Sequence, residues 1–313
     1  KRQEVLCAGN LMPHVIEALD AAYSTHHLAK ADDPAALLAK VGPTIRGIAS
    51  GSHAQCDKAL MDACPNVEII SSFGVGVDHI DLDYAKERGI ILCNTPDVLN
   101  DEVANTAIML LLASARKLVE YDQYVRAGRW VAEGAPALTM GIADKKVGIV
   151  GLGRIGKAIA EKLKAFHCDI VYYGRNKQAD VAYPYYDDLV AMANDCTALI
   201  VITPGGPETR HLINEAVMNA LGPQGHLINV ARGSVVDEQA MIAALQDGRL
   251  GNAGLDVFEN EPEVPDALLK MDHIVLQPHQ GSATVETRNA MGDRVVDNLA
   301  EHFAGNPPIS RYL

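Results

Sequence analysis

One glycine-rich segment constrains the fold of this chain more than any other feature. The apolar run Val147–Val150 predicts a buried strand, and it leads directly into Gly151-Leu152-Gly153-Arg154-Ile155-Gly156. Apolar residues then recur with helical spacing at Ala158, Ile159, Ala160, Leu163 and Phe166. A strand, a glycine turn and a helix in unbroken order are the context that a dinucleotide-binding fingerprint requires. The segment therefore predicts dinucleotide binding, rather than a turn that merely joins a strand to a helix.

Each glycine of this turn has its own expected task. Gly151 permits the tight turn, Gly153 lets a pyrophosphate approach the backbone, and Gly156 lets the helix pack on the strand. The N–H groups around Arg154 and Ile155 open the helix, where the positive end of its dipole favours phosphate.

Alternating strand and helix patterns continue along the 313-residue chain, which is too long for one ordinary core. Six strands are predicted from Lys146 onward, the full count of a dinucleotide-binding domain. The alternation predicts an α/β fold of two doubly wound parallel-sheet domains. We expect a flavodoxin-like substrate-binding domain at residues 1–98 plus 285–313 and a Rossmann cofactor domain at 99–284. The helical pattern from Val285 to Phe303 is expected to return to the first domain.

A long, mostly apolar helix is predicted from Asn100 to about Arg126. A helix this apolar needs cover on more than one face, which favours a subunit interface in a homodimer. The only tryptophan, Trp130, follows in a less regular stretch, where it is either an interface anchor or ordinary packing.

Composition excludes several classes of partner. The net charge of −13 argues against binding to nucleic acid or to an anionic membrane, and no apolar run is long enough to span a bilayer. The six cysteines are scattered without CxxC or metal-ligand spacing, so we expect reduced thiols in a cytoplasmic protein and no metal site. An anionic substrate would need a local cationic site.

The predicted second strand of the cofactor domain ends at Tyr173, and Gly174 and Arg175 follow it. An NAD-specific site would place Asp or Glu near Gly174, to accept from the ribose 2′-hydroxyl. A guanidinium can instead hold a 2′-phosphate with two hydrogen bonds. These residues favour binding of NADP(H), with NAD(H) as the weaker alternative. The competing interpretation, a solvated basic turn that contacts no cofactor, is disfavoured.

Polar residues follow three later strands: Arg232, Glu261 and His279. Each alone is more often an ordinary surface or loop residue. Together, at the carboxyl edge of a nucleotide-binding sheet, they can form a proton-transfer site. In the first domain the turn Phe73-Gly74-Val75-Gly76 follows a strand. It is either a plain turn or a pair of backbone N–H groups, at Val75 and Gly76, that hold a carboxylate.

The chain resembles the D-isomer-specific 2-hydroxyacid dehydrogenases over almost its whole length, most of all the NADPH-preferring glyoxylate/hydroxypyruvate reductases. In order, the matching segments are Gly74-Val75-Gly76-Val77-Asp78-His79-Ile80-Asp81, Asn94-Thr95-Pro96-Asp97-Val98, Gly151-Leu152-Gly153-Arg154-Ile155-Gly156, Val230-Ala231-Arg232-Gly233, and Pro278-His279-x-Gly281-Ser282. Two residues depart from the pattern: Gln280 stands where an apolar residue is usual, and Asn105 where an acidic one is common.

The resemblance implies the roles of the site residues. Arg232, Glu261 and His279 are the catalytic set, and the backbone of Val75 and Gly76 together with Arg232 holds the substrate. The cofactor-binding set is Gly151, Gly153, Arg154, Ile155, Gly156, Gly174, Arg175, Asn176, Thr203, Val230, Asp256 and Gly281, of which Asp256 contacts the nicotinamide. His279, as imidazolium, would donate a proton to the developing alkoxide while Glu261 favours its charged form.

These observations lead to one expected function, the NADPH-dependent reduction of small 2-keto acids such as glyoxylate and hydroxypyruvate. An NAD-dependent dehydrogenase of another 2-hydroxy acid remains an alternative. Formate dehydrogenase is disfavoured, because Glu261 occupies the position where that enzyme has Gln. A nucleotide-sensing binding protein without turnover is the alternative from a different class.

Overall fold

The computed structural model describes residues 2–313 and divides the chain into two compact units. The first domain comprises the described residues up to Leu99 together with Thr284–Leu313, and the second comprises Asn100–Ala283. Each domain contains one parallel sheet, which confirms the predicted α/β fold of two doubly wound domains.

The first domain is built on five parallel strands in the order β2-β1-β3-β4-β5. This order reverses direction between β1 and β3, as in flavodoxin-like sheets. The strands are β1 (Glu4–Ala8), β2 (Ser24–His27), β3 (Gly47–Ser50), β4 (Ile69–Ser72) and β5 (Ile91–Cys93). The helices between them are α1 (Pro13–Ala22), α2 (Pro34–Val41), α3 (Lys58–Ala63) and α4 (Leu82–Glu87). Buried aliphatic residues from the central strands form the core of the domain.

Strand β2 is the one element of this sheet that the apolar pattern did not predict. Its sequence, Ser-Thr-His-His, contains no apolar side chain, and it lies at the edge of the sheet beside β1. Polar contacts stabilise it instead: His26 bonds Glu4 at 2.7 Å and His27 bonds Asp20 at 2.9 Å. A strand without apolar side chains has no hydrophobic periodicity, so the apolar pattern could not reveal it.

The second domain contains seven parallel strands in the order β12-β11-β10-β9-β6-β7-β8. They are β6 (Lys146–Val150), β7 (Asp169–Tyr173), β8 (Tyr185–Tyr186), β9 (Ala198–Val201), β10 (His226–Asn229), β11 (Asn252–Leu255) and β12 (Val275–Leu276). The order reverses between β6 and β9, so the glycine turn after β6 lies where doubly wound sheets bind ligands. The two-residue edge strand β8 adds a seventh strand to the predicted six.

The helices of this domain are α5 (Asn100–Ala115), α6 (Leu118–Arg126), α7 (Arg129–Glu133), α8 (Arg154–Ala165), α9 (Leu189–Asp195), α10 (Glu215–Leu221), α11 (Glu238–Asp247) and α12 (Asp266–Leu269). The prediction of one helix from Asn100 to Arg126 is therefore wrong. Lys117, with φ of 52°, adopts the left-handed conformation and separates α5 from α6. Helix α5 packs against α8, β10 and β11 of its own domain, which covers most of its apolar surface.

The chain then returns to the first domain as α13 (Val285–Phe303). This helix packs on α1, β3 and β4. Many helices begin at a side chain that accepts a backbone N–H of the first turn, which fixes where each begins. These capping residues are Asp33, Asp57, Asp81, Asp188, Asn214, Asp237 and Thr284. Across residues 2–313, none of the helices has the length and apolar character needed to cross a membrane.

Candidate active site

The glycine turn after β6 has the backbone that the fingerprint predicts. Gly151 has φ of 100°, and a Cβ added there would lie 2.9 Å from the backbone of Thr203. A Cβ at Gly156 would lie 2.3 Å from the carbonyl oxygen of Gly151. At Gly153, by contrast, such a Cβ meets no described atom within 4 Å. Packing therefore requires the first and third glycines, whereas the second borders open space.

This open space lies at the start of α8. Gly153 is the N-cap residue of the helix and has no side chain to accept from its first turn. The first N–H groups of a helix have no partner within the helix, and its dipole adds positive potential there. Arg154, the first helical residue, is exposed, and Ile155 is half-buried. The turn therefore fits the pyrophosphate of a dinucleotide, with donors at the helix start and room at Gly153.

The end of β7 carries the residues assigned to the 2′-phosphate. A Cβ on Gly174 would meet no described atom within 4 Å, and its carbonyl oxygen accepts from Tyr185 Oη at 3.0 Å. Arg175 and Asn176 are exposed. The Arg175 guanidinium contacts a carboxylate oxygen of Glu208 at 2.5 Å, and both side chains are largely exposed. The sequence did not indicate this partner, because Glu208 follows a different strand.

Arg232 lies in the loop after β10, and Asn229 at the end of that strand shapes the loop. The buried Asn229 side chain accepts from the N–H of Ala231 at 3.0 Å and donates to the carbonyl oxygen of Arg232 at 3.0 Å. The Arg232 guanidinium in turn donates to the carbonyl oxygen of Ala231 at 2.8 Å. Asn229 thus fixes the backbone on both sides of Arg232. Val230, which lies between Asn229 and Arg232 in the sequence, is buried.

The loop with Arg232 packs directly on the loop that carries Glu261. A Cβ on Gly233 would lie 2.0 Å from the carbonyl carbon of Phe258, so the two backbones can approach only because residue 233 is glycine. Glu238 reinforces the second loop by accepting from the N–H of Glu259 at 3.1 Å. Burial raises the pKa of Glu238, although that N–H bond acts in the opposite direction.

Glu261 and His279 form a direct pair. One carboxylate oxygen of Glu261, Oε2, accepts from His279 Nδ1 at 2.7 Å, and the other, Oε1, accepts from the N–H of Phe258 at 3.0 Å. Both side chains are partly buried, at 30% and 28% exposure. This pairing assigns the Nδ1 proton to the bond with Glu261, so Nε2 is the nitrogen of His279 that can exchange a proton with a substrate.

Asp256, which follows β11, holds the loop of His279. Its carboxylate accepts from the N–H of Gln280 at 2.6 Å and from that of Gly281 at 2.9 Å, and its carbonyl oxygen accepts from the N–H of His279 at 2.8 Å. Burial raises the pKa of Asp256, against the effect of the two N–H groups. His279 itself has φ of 53°, a conformation uncommon for a residue with a side chain. Asp256 therefore stabilises an unusual backbone on which the histidine depends.

The two residues that depart from the family pattern have local partners. The amide of the exposed Gln280 donates to the carbonyl oxygen of Pro278 at 3.2 Å. The amide of Asn105 donates to Glu102 at 3.1 Å, within α5. One helical position away, Thr106 donates to the carbonyl oxygen of Gly281 at 3.2 Å. Neither departure displaces the bond between Glu261 and His279.

In the first domain, the turn after β4 presents backbone donors. Gly74 has φ of 122°, and Val75 and Gly76 after it are half-buried. Among the described residues, no acceptor bonds the N–H of either Val75 or Gly76. Two adjacent N–H groups in such a turn can bind one anion together. This turn can therefore hold a carboxylate, and its role in substrate binding stays a prediction.

Comparison with known proteins agrees with this chemistry. The family model "D-isomer specific 2-hydroxyacid dehydrogenase, NAD binding domain" matches residues 108–281. The chain belongs to the D-isomer-specific 2-hydroxyacid dehydrogenase family. It is 52% identical to glyoxylate/hydroxypyruvate reductase A HPR2 of Arabidopsis thaliana, over 84% of this chain and 83% of the relative. It is 50% identical to hydroxyphenylpyruvate reductase of Plectranthus scutellarioides, over 86% of each.

The fold is likewise that of a solved family member. An NADPH-dependent glyoxylate/hydroxypyruvate reductase of Sinorhizobium meliloti, in complex with NADP and malonate, superposes with a TM-score of 0.92. The two sequences are 44% identical, over 99% of this chain and 97% of that one. The predicted family and the prediction that the protein is an enzyme, a D-2-hydroxyacid dehydrogenase, are therefore confirmed, and the roles of individual residues stay predictions.

Sequence reasoning missed three residues of the second-domain site: Asn229, Glu238 and Glu208. Asn229 is a polar residue at the end of an apolar strand, and that position is a usable signal. Glu238 reads as an ordinary acidic residue in the first turn of a helix, and Glu208 as a solvated loop residue. Their partners lie in loops distant along the chain, so only the folded structure reveals their contacts.

Proposed function

We propose that this chain is an NADPH-dependent reductase of small 2-keto acids, with glyoxylate and hydroxypyruvate as the best candidate substrates. The observation that carries the proposal is the hydrogen bond of 2.7 Å between His279 Nδ1 and Glu261 Oε2. Both residues lie on loops of the second-domain sheet, and the glycine turn after β6 of that sheet fits a dinucleotide. A histidine whose ring is oriented by a carboxylate is suited to act as a general acid or base. Relatives that are named as reductases of these two keto acids support the assignment.

The reaction adds a hydride and a proton across the keto group and yields a 2-hydroxy acid. When bound, NADPH supplies the hydride that the carbonyl carbon accepts. His279 gives the proton at Nε2 to the developing alkoxide, and Glu261 stabilises the positive charge on the imidazole before that transfer. Arg232 stabilises negative charge on the substrate oxygens, and the N–H groups of Val75 and Gly76 bind the carboxylate.

A panel of 2-keto acids tests this proposal. Glyoxylate, hydroxypyruvate and hydroxyphenylpyruvate would each be offered with NADPH and with NADH, and oxidation of the nicotinamide followed by absorbance. The proposal expects turnover of the two small acids, with a higher kcat/KM for NADPH. Preferred turnover of hydroxyphenylpyruvate would correct the substrate. Cofactor binding without turnover of any 2-keto acid would instead indicate a nucleotide-sensing protein.

The preference for NADPH rests on Gly174 and Arg175. In the structure Arg175 contacts Glu208, so a 2′-phosphate would replace that carboxylate as its partner. Arg175→Ala should raise the KM for NADPH by roughly 10- to 150-fold, the equivalent of a charge-assisted bond, and leave use of NADH nearly unchanged. Lys177→Ala is the matched control, because it removes a neighbouring exposed cation. Wild-type protein that prefers NADH would refute this assignment.

We also propose a homodimer and a cytoplasmic location. Large apolar side chains are exposed around α6 and α7: Leu118, Val125, Trp130, Val131 and Leu138. Five large exposed apolar side chains within about twenty residues of the chain are the observation that favours a surface covered by another subunit. Sedimentation should show a dimer at micromolar concentration, and Trp130→Glu should shift it towards monomer; a wild-type monomer would refute the proposal. All six cysteines are free thiols, as expected in a reducing compartment.

A further inference from the structure

The turn Gly74–Gly76 of the first domain is held by a neighbouring loop that has no role in the proposed chemistry. Asn94 and Thr95 follow β5, the strand that pairs with β4, and they open the segment Asn94-Thr95-Pro96. Thr95 precedes a proline, which restricts its backbone to extended conformations. Both residues are almost fully buried, at 5% and 0% exposure, although both are polar. Buried polar side chains need partners, and these partners indicate what the residues do.

Thr95 forms hydrogen bonds with both backbone polar groups of Gly74. The N–H of Gly74 donates to the Thr95 hydroxyl oxygen at 3.0 Å, and the carbonyl oxygen of Gly74 accepts from the N–H of Thr95 at 2.9 Å. Asn94 bonds the next residue, because its amide donates to the carbonyl oxygen of Val75 at 3.1 Å. Every one of these bonds uses backbone groups other than the N–H of Val75 and the N–H of Gly76. The loop thus orients the turn without occupying the two donors.

Asn94 is itself held by the C-terminal segment. Its carbonyl oxygen accepts from the Ser310 hydroxyl at 2.6 Å, and its N–H donates to the carbonyl oxygen of Ser310 at 3.3 Å. Asn298, fully buried in α13, accepts from the N–H of Ser310 at 3.0 Å. Ser310 and Asn298 therefore stabilise the loop of Asn94 and Thr95, and this loop in turn stabilises the turn Gly74–Gly76.

We infer that Asn94 and Thr95 are positioning residues for the binding of the substrate carboxylate, and that they act through the backbone of Gly74 and Val75. This inference rests on the proposed function, in which Val75 and Gly76 hold that carboxylate. A small rotation of either peptide plane would separate two donors that must meet one carboxylate together. Hydrogen bonds weaken steeply as their angle departs from linearity, so such a rotation weakens substrate binding. It does not alter the glycine turn after β6, where the dinucleotide is expected to bind.

The test is a matched pair of variants at one position. Thr95→Val keeps the shape of the side chain but loses the acceptor for the Gly74 N–H, whereas Thr95→Ser keeps the hydroxyl. We expect Thr95→Val to raise the KM for glyoxylate or hydroxypyruvate about tenfold, with little change in the KM for NADPH, and Thr95→Ser to stay near wild type. Thr44→Val is the control, because it removes another threonine hydroxyl bond of the same domain, to the carbonyl oxygen of Val41.

Hydrogen–deuterium exchange gives a readout that does not depend on activity. Thr95→Val should speed exchange in the peptide that contains Gly74, Val75 and Gly76, whereas Thr95→Ser and Thr44→Val should not. Equal KM values and equal exchange in the valine and serine variants would overturn the inference. Wild-type protein that reduces no 2-keto acid would instead refute the proposed function, and the exchange comparison would still decide whether Thr95 orders the turn.

Discussion

His226 should make the stability of the second domain depend on pH. It lies in β10 with 4% exposure, and its Nδ1 bonds the hydroxyl of Ser114 in α5 at 2.7 Å. Burial lowers the pKa of His226 from 6.5 to about 4. A histidine in the unfolded chain takes up a proton below about pH 6.5, whereas this one stays neutral in the folded domain until about pH 4. Stability should therefore fall as the pH decreases through that window.

The magnitude follows from the width of the window. Each pH unit between the two pKa values changes the free energy of unfolding by about 1.4 kcal/mol. A shift from 6.5 to about 4 therefore amounts to roughly 3 kcal/mol at the acidic end, and to about 2 kcal/mol near pH 5. For a domain of this size, 2 kcal/mol corresponds to a decrease of about 4–8 °C in Tm. At neutral pH the effect is absent, because the histidine is neutral in both states.

Calorimetry from about pH 4 to about pH 7 on wild type and His226→Asn measures this effect. Asn can still bond Ser114 but has no titrating group, so the Tm of the variant should fall less steeply below about pH 6.5. Because the substitution also changes baseline stability, the slopes are compared rather than the absolute Tm values. His167→Asn, at an exposed position, should keep the wild-type slope. Parallel slopes for wild type and His226→Asn would show that His226 does not carry the acid sensitivity.

Substitutions in the second domain separate residues that pack the fold from residues that take part in the proposed reaction. Gly156→Ala should destabilise the domain, because its Cβ would lie 2.3 Å from a backbone oxygen, whereas Gly153→Ala should fold normally and lose affinity for NADPH in a binding titration. Asp256→Asn should lower kcat by roughly 10- to 150-fold, because one of its two N–H bonds is lost; an unchanged kcat would show that these bonds do not hold His279 in place. His279→Ala should lower turnover by about 10²–10⁴-fold while NADPH still binds, and unchanged turnover would exclude it as the proton donor.

The sequence predicted those parts of the structure in which local pattern and global fold agree. The buried parallel strands, the glycine turn and helices such as Pro13–Ala22 and Val285–Phe303 carry strong periodicity or a required backbone conformation. The pattern failed where periodicity is uninformative. Strand β2 is polar throughout, and the apolar pattern continues across Lys117 although the backbone there is left-handed.

In the candidate site, too, some residues could be predicted from the sequence and others could not. The residues Arg232, Glu261 and His279 could be selected because polar side chains cluster after consecutive parallel strands, whose carboxyl ends share one edge. The contacts that join separate loops could not be predicted in this way. Examples are the ion pair of Arg175 with Glu208 and the hydrogen bond of Thr95 with Gly74. Sequence separation conceals such contacts, and no periodic pattern records them.

Buried polar residues at the ends of strands hold the loop positions on which the proposed proton transfer depends. Asn229 and Asp256 each end or follow a strand of the central sheet, and each bonds the backbone of the loop that carries a candidate catalytic residue. Burying a carboxylate such as that of Asp256 is unfavourable, and its raised pKa reflects this cost. The cost is offset only while the Gln280 and Gly281 N–H groups stay in place, so any movement of the His279 loop exposes an unsatisfied buried charge. The same energetic penalty that makes Asp256 unfavourable in isolation therefore holds His279 in its left-handed conformation beside Glu261.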